Sequence, residues 1–147
     1  MSHAKLTLLL LFSLLAIGAT AQAEPPRNIS FDKVKFEMKK GDPFERKMLT
    51  PEIESLVGKK IRIRGWILPG GQATGLTDFV LVRDNQECCF GPMAALFDCM
   101  IVKMVDGETT DFTTRPIAID GIFDIREEKF PDGTWMAIYH LTAESVK

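Results

Sequence analysis

Three thiols and one histidine hold most of the chemistry that this chain could perform. Cys88 and Cys89 are adjacent in the polar stretch "RDNQECCFGP", and Cys99 follows ten or eleven positions on. Neighbouring cysteines bridge each other poorly, because the S–S geometry strains the peptide between them. A bond from either one to Cys99 is sterically simpler. It would close a loop of about a dozen residues, contributing roughly 3 kcal/mol by the chain-entropy argument. One thiol is then left over. The alternative use of the same residues is a soft-metal site, with Cys88, Cys89 and Cys99 as thiolate ligands to zinc or copper and His140 as a fourth ligand. The spacing C-C-x9-C lacks the paired C-x2-C units of recognised sites. Thiol-redox catalysis needs a thiolate at a helix N-terminus or in a C-x-x-C loop, and neither is present here. There is no Gly-x-Ser-x-Gly turn for a hydrolytic triad. The expectation is therefore a non-enzyme without a cofactor, its disulfide drawn from Cys88, Cys89 and Cys99.

A second candidate strip lies in "KKIRIRGWILP", where Lys60, Arg62, Arg64 and Trp66 share one face of an alternating segment. Cationic side chains beside an indole can hold a phosphate or sugar and stack on a ring. The same pattern also describes the solvated side of an amphipathic strand. Binding candidates are thus Arg62, Arg64 and Trp66 together with the loop Cys88, Cys89, Phe90, Gly91 and Pro92. Asp78, Asp98, Asp120 and Asp124 form no acid–base pair in sequence terms. Asp120 and Asp124 share a strand face about 13 Å apart, as outward charges that discourage edge pairing.

Compartment follows from the first 23 residues. Lys5, the twelve-residue apolar run Leu6 to Ile17 and the small-x-small site Ala21-Gln22-Ala23 have the three-part layout of a secretory signal peptide. Its apolar run is short for a membrane span. The exported chain is expected in the periplasm or secreted, where thiols pair. It would keep no stable membrane insertion after cleavage. Cleavage leaves 124 residues with 17 basic and 20 acidic side chains, enough for one domain and too acidic for a nucleic-acid binder. Its partner would instead be an envelope protein or a small ligand. Oligomeric state is left open.

The elements that must position these groups are mostly strands. Residues 24–30 read as a flexible leader, and "FDKVKFEM" as a short strand or a packed extension. "LTPEIESLVGKK" carries a helix start, with Thr50 as cap, Pro51 in the first position and Glu52 and Glu54 in the first turn; Gly58 ends it. Five strand segments follow: "KKIRIRGWILP", "DFVLVRD", "LFDCMIVKMV", "RPIAIDGIFDIRE" and "FPDGTWMAIYHLTA". Gly65 and Gly121, in strand interiors, mark places where a strand coils sharply. Residues 31–147 are therefore expected to form a mainly β domain, a small five-stranded OB-like antiparallel barrel with a short N-terminal helix.

The order of "LVGKKIRIRGWILP", "FVLVRDNQECCFGP", "RPIAIDGIFDI" and "YHLTAESV" resembles a family of exported, uncharacterised bacterial proteins with an OB-like barrel, known as a domain of unknown function. The match spans roughly residues 30 to 145, and Cys89-Phe90-Gly91-Pro92 is its most specific part. The resemblance implies an envelope accessory protein, in some cases associated with a transport system, and brings no catalytic activity. Some relatives carry Cys-His and a proline run in this loop. Here Cys88, Phe90 and a lone Pro92 stand instead, a departure from the Cys/His pattern on which a metal site of those relatives would rest.

Overall fold

The computed structural model describes residues 24–38, 42–86 and 95–147. The helix signal forms α1 (Pro51–Glu54), where the Ile53 N–H donates to Thr50 Oγ1 at 3.3 Å and Pro51 opens the first turn. Ile53 points inward and is fully buried. Gly58, at φ +74°, lets the chain leave this turn, and its N–H donates to the Phe123 carbonyl at 2.8 Å.

Among the described residues there are six strands, five of them in the segments picked out from the sequence. They are β1 (Arg27–Asn28), β2 (Lys60–Ile67), β3 (Asp78–Val82), β4 (Cys99–Met104), β5 (Ile117–Lys129) and β6 (Trp135–Val146). They make one mixed sheet in the order β1-β2-β3-β4-β6-β5, and β2 also pairs with β5. The pairings therefore return from β5 to β2. Two points depart from the sequence expectation. The described residues hold six strands, because Arg27–Asn28, inside the stretch read as a leader, pairs with Ile61 and Arg62. The sheet is also not purely antiparallel, because β1 runs parallel to β2 and β4 parallel to β6. Alternation tells which side chains face inward but says nothing of a neighbour's direction.

Ile61, Ile63 and Ile67 on β2 face the core, as do Met100, Val102 and Met104 on β4. Ile117, Ile119, Phe123 and Ile125 on β5 join them, with Tyr139, Leu141 and Ala143 on β6. Gly65 and Gly121 fill places where strands approach too closely for a side chain. A Cβ on Gly65 would stand 2.5 Å from the Val82 carbonyl oxygen, and one on Gly121 would stand 2.4 Å from that of Thr142. The N-terminal segment is a packed extension with 3-10 turns at Phe31–Val34 and Arg46–Met48. It brings Phe31, Val34, Phe36, Phe44 and Leu49 into the core. The Tyr139 hydroxyl donates to the Val34 carbonyl at 2.7 Å and fastens the segment to β6. Among the described residues no helix is long and apolar enough to cross a membrane.

Candidate functional site

Cys88, Cys89, Phe90, Gly91 and Pro92 lie outside the described residues, and so does any bond that the first two make. Cys99 opens β4, is buried, and stands opposite Val82. His140 on β6 is paired in register with Ile101 and Asp124. It alternates with core-facing Tyr139 and Leu141 along the strand and is nonetheless only 7% exposed. Its Nε2 lies 3.8 Å from Glu128 Oε1 and has no hydrogen-bond partner among the described residues. Burial pushes the imidazole below its ordinary pKa, against the opposing pull of Glu128. No group of three His, Cys, Asp or Glu side chains able to hold a metal occurs among the described residues.

The basic strip divides into residues with different roles. Arg62 faces Asp120 across the β2–β5 ladder. Its Nε and Nη2 donate to Oδ1 and Oδ2 at 2.5 and 2.6 Å. Lys147 Nζ adds a contact to Asp120 Oδ2 at 3.0 Å. The bidentate Arg62 guanidinium holds the Asp120 carboxyl well below the usual carboxylate range, and Lys147 reinforces it. Asp120 is thus not the outward edge charge expected from sequence. It is 6% exposed, on a strand paired on both sides, opposite a compensating cation. Arg62 belongs to this structural pair. Arg64 is exposed, opposite Ala118. Trp66 is half-buried and lines a crevice of about 130 Å³ with Pro69, Asn85, Phe112, Thr113 and Thr114.

That crevice adjoins a larger cleft of about 360 Å³ that the sequence did not announce. The two share Ile67, Pro69 and Phe112. The larger one opens where β2 and β3 part. Its walls are Leu68 to Gly71 on one side and Thr77 to Val80 on the other. The loop between these strands is pinned in place. Gln72 Nε2 donates to the Thr74 and Gly75 carbonyls at 2.7 and 3.2 Å. The Gly75 N–H, at φ +66°, donates to Asp111 Oδ1 at 2.9 Å. Leu76 and Thr110 exchange two backbone bonds, and the Phe112 N–H donates to the Ala73 carbonyl at 2.8 Å. These bonds bring Phe112, from the β4–β5 connection, into both cavities. The cue in the sequence is Leu68-Pro69-Gly70-Gly71 directly after β2, where Pro69 cannot continue a ladder. The pairing of this loop with residues 110–112 left no such trace.

What the arrangement offers is an apolar floor with an aromatic rim and few charges, which suits binding more than bond-making.

No family profile matches the chain, and no curated protein does. Among solved structures, it is similar to the crystal structure of a DUF3299 family protein from Pseudomonas aeruginosa PAO1. That similarity has a TM-score of 0.60 at 18% identity, covering 84% of this chain and 96% of that one. A putative aspartyl-tRNA synthetase from Leishmania major Friedlin also aligns, at TM-score 0.40 and 11% identity, over 86% of this chain and 21% of that one. The first likeness shows a shared fold with a protein from a family of unknown function.

Proposed function

We propose that the chain is an exported, non-catalytic binding module of the cell envelope that recognises a partner protein or small ligand at the Trp66–Phe112 cleft. The carrying observation is the pair of adjoining cavities that share Ile67, Pro69 and Phe112, one of which Trp66 lines. Apolar concave sites with a few polar groups on the rim are where ligands are usually held. In this reading the mainly β fold is an OB-like barrel. The return of the pairing order β2-β3-β4-β6-β5 to β2 supports that assignment, as do the tight approaches at Gly65 and Gly121. Fold alone does not fix function; the cleft is what supports binding. The secretory leader supports export, and the fold likeness to a DUF3299 protein favours membership in a family of that kind.

The test is a ligand survey by protein NMR on the exported chain, combined with metal analysis and a count of free thiols. The expected result is shift changes centred on residues 66–80 and 110–114, lost in Trp66→Ala while Tm is kept. Stoichiometric zinc or copper that disappears in Cys88→Ser, with no response at the cleft, would replace this reading with thiolate metal handling.

A further inference from the structure

One wall of the larger cleft is main chain that has lost its strand partner. Along an extended strand, successive residues turn their N–H and C=O groups to opposite sides. Those of Thr77 and Arg83 point toward β4: the Met104 N–H donates to the Thr77 carbonyl at 2.7 Å, and the Arg83 N–H donates to the Asp98 carbonyl at 2.9 Å. Asp78 and Val80 therefore turn theirs toward β2. The Leu68 N–H meets the Val80 carbonyl at 2.9 Å, and this is the last rung. Pro69 has no N–H, and Gly70-Gly71 leads the chain away. The Val80 N–H and both main-chain groups of Asp78 have no hydrogen-bond partner among the described residues.

Unpaired strand backbone inside an apolar cleft is matched by an extended peptide, whose own amides complete the ladder while alternate side chains reach the floor. Three features narrow the occupant. Phe112, Leu76 and Ile67 supply apolar surface for one large side chain. Gly70 and Gly71 leave open space on the opposite wall, with nothing within 4 Å of a built Cβ on either. Asp78 is the one charged side chain of the lining. Its carboxylate accepts the Thr77 hydroxyl at 3.0 Å and forms no ion pair among the described residues.

We propose that the cleft binds a short extended peptide segment of a partner protein by adding it to β3 as a strand. A large apolar side chain would sit against Phe112 and a neighbouring Lys or Arg at Asp78. The proposal rests on the binding-module reading and names its ligand class.

The experiment uses short capped synthetic peptides in which a central Leu, Phe or Trp neighbours Lys or Arg, titrated into the exported chain and read by fluorescence anisotropy. N-methylation of a single paired amide in the best peptide removes one hydrogen bond and blocks close approach. It is expected to weaken binding about tenfold or more. Asp78→Asn is expected to lower the preference for Lys or Arg about threefold, with Tm unchanged. In amide exchange the Asp78 and Val80 protons are expected to slow on binding. Peptide affinity indifferent to N-methylation at every position would overturn strand addition. So would a cleft that takes only a non-peptide ligand or a second copy of this chain, and either result leaves the binding-module reading standing. If none of these probes perturbs residues 66–80 or 110–114, both readings fall.

Discussion

Toward β5, strand β2 is held over six consecutive register positions, from Lys60↔Ile122 to Gly65↔Ile117. Toward β3 it is held at two, Trp66↔Val82 and Ile67↔Leu81, with one further bond from Leu68. The first side is sealed by charge as well as by backbone. Arg62 and Lys147 converge on buried Asp120, and Lys60 pairs with Glu144 beside them. The second side ends in Pro69-Gly70-Gly71 and opens into the cleft. One wall is thus locked and the other left open, with ladder bonds unfilled where a partner could fill them. The two glycine types mark the same contrast: Gly65 and Gly121 permit close strand contact, whereas Gly70 and Gly71 border empty space.

That contrast can be broken most severely at Gly121. Gly121→Val would press side-chain atoms into the Thr142 backbone, which cannot move aside as a side chain would. A loss of about 3 kcal/mol or more is expected in denaturant unfolding. Gly70→Ala and Gly71→Ala should stay within about 0.5 kcal/mol of the parent chain. Equal costs at both kinds of site would contradict the division into a tight and an open wall.

Next in size is the charge lock. The folded Asp120 carboxyl lies below its unfolded value, so its contribution is fully present above the unfolded pKa of about 4 and lost as pH falls below it. Thermal melts should show Tm falling from about pH 4 downward in the parent chain. Asp120→Asn should lower Tm by several degrees at neutral pH and flatten that acid slope. An unchanged slope would mean that the pair does not stabilise the fold.

Tyr139→Phe removes the buried hydrogen bond to Val34 and leaves that carbonyl unpaired. About 1 kcal/mol of stability should go, with faster amide exchange in residues 31–36. The smallest effect belongs to His140. Its folded pKa is lowered by burial, so below about pH 6.5 the unfolded chain takes up a proton first and stability declines. His140→Leu should narrow the Tm difference between pH 7 and pH 5, because it removes that titration. A difference that stays the same would assign it to other groups.

Strand positions were legible because one face of β2 is isoleucine and glycine and the other basic, a pattern only a half-buried strand requires. α1 was legible from Thr50-Pro51, whose cap and fixed φ act locally. What escaped depends on residues far apart in the chain. Asp120 looks like any strand carboxylate until Arg62, 58 positions away, is set opposite it. Strand β1 is two residues long and exists only through its pairing with Ile61 and Arg62. The cleft needs residues 73–76 to meet residues 110–112, and no local preference encodes that meeting. Of the three proposed binding residues on the strip, Trp66 alone lines either of these two adjoining cavities.

Residue-resolved amide hydrogen exchange on the free chain tests the open wall most directly. The Asp78 and Val80 amides are expected to exchange quickly, while Phe79 and Leu81 on the same strand, and residues 118–122 on β5, are protected. Asp78 and Val80 amides protected as strongly as Phe79 would mean that β3 has no free edge at the cleft and that the open wall does not exist.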